Sequence, residues 1–195
     1  RIHNGEKNIV TIEDPVELKI DGITQYNINE KNPLETVLSK VMRQDPDIIY
    51  MGEIRDKLTA DVAISSSLTG HLVWSTLHAR NSVSAIARLI DFGMSPLNIS
   101  QTLNYIVYQR LIKKICPDCC NTVDKEAYLE KVSKIMESKD TISTVNKDLL
   151  NKVLSYNLIT RGEGCEKCQG TGVVGRTIIY EILKVNKDVS ERILN

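Results

Sequence analysis

The sequence has no charge of one sign to spare. Its 25 Lys and Arg residues balance 25 Asp and Glu residues across 195 positions, for a net charge of zero. That balance speaks against a broad nucleic-acid or lipid-binding surface, since both rely on a cationic excess. Phe occurs once, and no stripe of aromatic residues interleaved with basic ones is present to form a nucleic-acid groove. No apolar run approaches the ~18 to 20 residues needed to span a bilayer, and no signal peptide is visible. Missing as well is any G-x-x-x-x-G-K-[ST] stretch, so the backbone amides and lysine that cradle nucleotide phosphates are not among these residues.

What is present reads as strands alternating with helices. Asn8 to Ile12 (NIVTI) is a short β-branched strand ending at Glu13-Asp14-Pro15, where proline forbids easy continuation. Asn32-Pro33-Leu34-Glu35 reads as an N-cap, a proline at the first helical position and an acid at the third. Leu34, Val37, Leu38, Val41 and Met42 then repeat at helical spacing. Asp47 to Met51 reads as a buried strand, Leu58 to Leu68 as a helix, and His71 to His78 as another buried strand. A helix follows from about Val83 to Phe92, and Ser95-Pro96 opens a further one expected to reach about Lys114. Such alternation implies a parallel, doubly wound α/β sheet over roughly residues 1–114.

Composition changes after Lys113. Two C-x-x-C pairs bracket a polar, lysine-rich stretch expected to be helical from about Lys125 to Ser155, and Gly162 to Gly175 is dense in glycine. We read residues 115–175 as a small cysteine-rich subdomain. Residues 176–195 begin a C-terminal segment with one strand, Ile178 to Leu183, and the start of a helix. The chain enters on a strand almost at once after Arg1, which reads as a piece of a longer protein.

Three of the expected strands end in polar groups: Glu13 and Asp14, then Glu53, then His78. In an open parallel sheet, ligands bind outside the carboxyl ends of the strands. Carboxylates and an imidazole meeting there suit a magnesium-nucleotide site. One acid orients or deprotonates water, one works through the metal, and the histidine senses the terminal phosphate. Read singly, each residue could as well be a cap or a surface charge; Glu17 stays open between solvation and function.

The same residues carry a family resemblance. T-I-E-D-P-V-E at Thr11 to Glu17 resembles the Asp box of type II/IV secretion ATPases. R-Q-D-P-D-I-I-Y-M-G-E-I-R-D at Arg43 to Asp56 resembles their atypical Walker B, and S-L-T-G-H-L-V-W-S-T-L-H-A-R at Ser67 to Arg80 their His box. The likeness continues through Arg88-Leu89-Ile90-Asp91, Gln109-Arg110-Leu111 and both C-x-x-C pairs, so it covers nearly the whole chain. It implies part of a RecA-like ATPase core with a small zinc-binding, helical insertion. The implied activity is ATP hydrolysis, with Mg2+ and ATP, powering assembly of a type IV pilus, a type II secretion system or a competence pseudopilus.

By this resemblance Glu53 is the catalytic glutamate and Glu13 shapes the magnesium and water environment, although the sequence leaves the two roles exchangeable. His78 approaches the γ-phosphate, His71 supports the same box, and Arg55 joins a charge network or forms an ordinary salt bridge. The family's phosphate loop lies just upstream of the Asp box, so these residues alone are expected to be catalytically inert. The resemblance also implies a homo-hexamer working with an inner-membrane platform protein, in the cytoplasm and peripheral to the inner face of the membrane, without nucleic acid.

Cys116-Pro117-Asp118-Cys119 and Cys165-Glu166-Lys167-Cys168 form two knuckles, each able to present two thiolates to one ion. Together they complete a tetrahedral Zn2+ site, closed to substrate and therefore structural. Cys120 is a spare thiol. In the resembled family a zinc element favours extension over retraction motors. A different class remains open: a zinc-stabilised binding scaffold with a degenerate nucleotide fold.

Overall fold

Short β-branched runs set the sheet. A computed structural model describes residues 5–137, 155 and 159–195. Strands β1 (Ile9–Glu13), β2 (Thr24–Asn27), β3 (Ile48–Met51) and β4 (Leu72–Ser75) form one sheet in the order β2-β1-β3-β4, and every neighbouring pair is parallel. Parallel strands need crossovers, and two helices supply them here: α1 (Leu34–Val41) before β3, and α2 (Lys57–Leu68) between β3 and β4.

The apolar positions of these elements meet. Val10, Ile12, Ile49 and Met51 from the sheet pack with Leu34, Val37 and Val41 of α1 and Ala63 of α2. A second cluster joins Ala60 and Ile64 of α2 to Leu89 of α3 (Ser82–Asp91), Met94, and Ile99 of α4 (Pro96–Thr102). Ile193 of α6 (Lys187–Leu194) packs against this cluster from the end of the chain, and Ser190 donates to the carbonyl of Ser100.

Three sequence expectations are corrected. The helix opened by Ser95-Pro96 does not reach Lys114: it ends at Thr102, and residues Tyr105–Ile115 form strand β5. Tyr105 to Tyr108 are aromatic and β-branched residues suited to a pleated surface, and the partner is the distant β8 (Val173–Lys184). The strand expected at His71 to His78 is confined to Leu72–Ser75 and is not buried. It lies at the edge of the described sheet, with Leu72 44% and Trp74 51% exposed. Asn32 does not cap α1: the capping position is Pro33, with no side-chain bond, while the Asn32 amide donates to Asn29.

The chain divides into two compact units, Arg1–Tyr108 with Tyr180–Asn195, and Gln109–Ile179. The second holds both cysteine pairs, helix α5 (Lys125–Glu137), and the short antiparallel pair β6 (Asn121–Thr122) and β7 (Ile159–Thr160). Of the stretch expected to be helical up to Ser155, residues 138–154 lie outside the described residues.

Candidate functional site

Strand register decides which side chains meet. Ile12 pairs with Met51, and Met51 with Ser75. The carboxyl ends of β1, β3 and β4 therefore lie along one edge of the sheet. Glu13 is the last residue of β1, paired with Asn27 of β2, while Glu53 and His78 follow the ends of β3 and β4.

Backbone bonds then fix the loops. Gly52 donates to the carbonyl of Ile12 at 2.8 Å, and Ile54 to that of Thr76 at 2.9 Å. The Thr76 hydroxyl returns a bond to the carbonyl of Gly52 at 2.7 Å. Asp56 caps α2 by accepting from the Thr59 amide at 2.9 Å, while the Thr59 hydroxyl oxygen accepts the amides of Arg55 and Asp56. This capping box holds the segment carrying Glu53 and Arg55 between β3 and α2.

Glu53 is the hub of the polar cluster. Its Oε2 accepts from Arg55 Nε at 2.6 Å, and its Oε1 lies 3.1 Å from His78 Nε2. Arg55 also reaches Asp14 Oδ2 at 3.4 Å. The bond from Glu53, together with its charge, raises the Arg55 pKa above its ordinary value. Glu53 is half-buried, whereas the His78 ring stands almost free in solvent.

Glu13 sits on the neighbouring strand with its own partners, the Thr11 hydroxyl and Gln25 Nε2, the latter at 3.2 Å. His71 is not brought to this edge. It precedes β4 at the amino end of the sheet, where Nδ1 lies 3.0 Å from the carbonyl of Ser66 and 3.1 Å from the Thr69 hydroxyl. The four residues of β4, on the order of 13 Å at ~3.3 Å per residue, separate it from the cluster.

A cavity of about 220 Å³ opens beside Glu53, lined also by Arg55, Leu77, His78, Arg88 and Phe92. Ligand pockets usually run from about 300 to 1,000 Å³, so this one suits a phosphate-sized group better than a whole nucleotide. Sequence reasoning named Asp14 only as one of the strand-end acids, without a role of its own, and missed Arg88 and Phe92 as cavity walls. Arg88 and Phe92 are four residues apart, a helical spacing that reads as one face of α3 and nothing more.

The second constellation is sulfur. The Sγ atoms of Cys116, Cys119, Cys165 and Cys168 all lie within 4.8 Å of one another. The Cys116–Cys165 and Cys165–Cys168 separations are 3.8 Å, and Cys119–Cys168 is 3.9 Å. Four sulfurs at ~2.3 Å from a central ion form a tetrahedron with edges of about 3.8 Å, so these thiols could hold zinc with little movement. The amides of Cys165 and Gly172 both donate to Cys168 Sγ at 3.1 Å. They favour its thiolate, lowering the pKa to about 6, while desolvation and the neighbouring thiols push Cys119 up to about 12. Lys167 pairs with Asp118 at 2.9 Å, one residue from each knuckle. Cys120 stands outside the cluster, with its Sγ on the carbonyl of Pro117.

The whole chain, residues 1–195, matches the family described as Type II/IV secretion system protein. The chain belongs to that family. The Vibrio cholerae serotype O1 relative named Type II secretion system ATPase E is 39% identical over 194 residues, 98% of this chain and 35% of that protein. The Thermus thermophilus relative named Type IV pilus assembly ATPase PilB is 38% identical over 196 residues, 100% of this chain and 20% of that protein. The chain thus spans about a third or less of these relatives. Among solved structures, the pilus retraction motor PilT with bound ADP superposes with a TM-score of 0.62 at 24% identity, over 96% of this chain and 41% of that one. The Legionella pneumophila ATPase DotB gives 0.60 at 18% identity, over 97% of this chain and 40% of that one. These likenesses carry the fold: the type II/IV secretion chain described here is α/β and RecA-like, with part of a parallel sheet.

Proposed function

We propose that this chain is part of an ATP-hydrolysing motor that powers assembly of a type IV pilus, a type II secretion system or a competence pseudopilus. The observation that carries the reading is Glu53. It leaves a parallel strand at its carboxyl end, is bound by Arg55 and His78, and sits next to the strand that carries Glu13. Two family relatives that align along nearly the whole chain are named ATPases.

In this reading Glu53 takes a proton from the attacking water, or orients it, and Glu13 shapes the magnesium environment. His78, nearly free of packing, can swing toward a γ-phosphate. His71 ties the start of β4 to the end of α2. Magnesium and ATP supply the phosphoryl group and its charge neutralisation; the phosphate loop is not in these residues, so hydrolysis belongs to a longer polypeptide. Zinc at the four thiols is structural. The motor is a hexamer that meets an inner-membrane platform protein from the cytoplasmic side.

The decisive experiment is Glu53→Gln in the full-length protein, which preserves shape while removing the base. Expected is retained ATP binding with turnover lowered about 10²- to 10⁴-fold. Near-normal turnover moves the base to Glu13 or ends the catalytic reading. An active parent separates the motor from the zinc-stabilised scaffold, which binds partners without turning over ATP.

A further inference from the structure

Two arginines line the cavity beside Glu53, and they are not equivalent. Arg55 is committed: its guanidinium holds Glu53 at 2.6 Å and Asp14 at 3.4 Å. Arg88 forms no ion pair with any described residue. Its Cζ lies 4.5 Å from the centroid of the Phe92 ring. Stacking on an aromatic face holds the guanidinium plane while leaving its edge N–H donors open, and that edge matches the oxygens of a tetrahedral anion.

The geometry points to Arg88 as the residue of this cavity that receives a phosphate oxyanion, with Phe92 as its platform. Glu53 is the one acid among the described residues lining this cavity, and both of its oxygens are engaged. Glu53 therefore does not draw Arg88 into an internal pair, and the cavity keeps one uncommitted cation. Its size of about 220 Å³ admits one phosphoryl group. The identity of that group as the terminal phosphate of a nucleotide rests on the functional reading above; the anion site itself does not.

The test separates the two. The 195-residue chain is titrated with inorganic phosphate, and with chloride at equal ionic strength, while the Arg88 Nε–Hε signal is followed by NMR. A saturable shift with phosphate alone is expected. Arg88→Gln should weaken phosphate binding at least about tenfold, as expected for loss of a charge-assisted bond. Arg88→Lys should recover part of that loss, and Phe92→Leu should weaken binding a few-fold through the lost platform. An unmoved Arg88 signal, or parent-like phosphate binding by a folded Arg88→Gln, overturns the assignment. ATP turnover by the full-length protein is scored alongside. Normal turnover and KM in Arg88→Gln without a phosphate response remove Arg88 and leave the motor reading intact. A phosphate response in a protein that never hydrolyses ATP keeps the anion site and removes the motor.

Discussion

Between Gln109 and Ile179 the buried positions among the described residues are two cysteines, Cys116 and Cys168, and two glycines, Gly162 and Gly172. In the other unit, Val10, Val37, Val41, Ile49 and Ile99 are fully inaccessible, and they come from strands and helices that interlock. One unit is a hydrophobic core with a hydrogen-bonded ladder through it. The other is a set of thiols wrapped in backbone. A Cβ on Gly162 would sit 1.5 Å from the carbonyl oxygen of Cys119, so the two knuckle loops approach more closely than any side chain allows. Gly172 adopts φ +66°, a left-handed conformation, where its amide reaches Cys168 Sγ. Burial of apolar area can order the first unit. The described residues of the second bury little apolar area, and in the reading proposed above its order comes from a zinc ion that the thiols share.

The strongest way to break this contrast is to remove one thiol. Structural zinc in small peptides is worth roughly 10–16 kcal/mol, far more than any single packing contact. Cys165→Ser should lose the metal and open Gln109–Ile179 to protease, while the sheet unit keeps its cooperative unfolding. Cys120→Ser should retain one zinc per chain. Elemental analysis and limited proteolysis of both variants give the answer. Equal zinc loss in both, or a metal-free parent, removes zinc as the organiser.

The mirror experiment is a core truncation. Ile49 is fully buried on the central strand β3. Ile49→Ala should cost the sheet unit about 2–5 kcal/mol in denaturant unfolding through lost transfer energy and a cavity. Zinc content should not change. A variant that loses zinc together with sheet stability would show that the two units unfold as one, and the contrast would fail.

The same contrast explains what could be read from the sequence. The sheet unit was legible because its signals are local. The run at Ile48 to Met51 is apolar and β-branched, and α3 repeats its apolar residues on one face. The tetracysteine cluster was legible because C-x-x-C spacing is itself geometric, and the thiols do converge. What escaped depends on distant partners. Strand β5 follows α4 without a turn signal strong enough to end a helix, and its partner β8 lies some sixty residues further on. Exposure of β4 depends on its place at the edge, which Leu72 to Ser75 cannot reveal. The cluster at Glu53 was legible as residue types at strand ends. That His71 lies away from it follows from four residues of strand geometry, and that Arg55 spends its charge on Asp14 follows from a contact 41 positions away.

The smallest expected effect sharpens the contrast through acid. Asp56 caps α2 with its carboxylate, and bonds from the Thr59 amide and hydroxyl hold its pKa below the usual 3.8. A carboxylate depressed in the folded state adds stability that is fully present above its unfolded pKa. That stability is lost as pH falls through the lower, folded value. Asp56→Ala should therefore cost about 1 kcal/mol at neutral pH, within the range for an N-cap. The deficit should shrink once the parent's own carboxylate protonates, below about pH 3.8. Asp56→Asn, which can still cap, should keep most of the neutral-pH stability and flatten this part of the acid limb. Urea unfolding of parent and variants at neutral and acid pH, followed by helix content, measures both. Zinc content at neutral pH should be identical in all three, because Asp56 lies in the unit that packing holds. A deficit in Asp56→Ala that stays constant down to pH 2 would mean that the cap contributes through shape alone and that its charge contributes nothing.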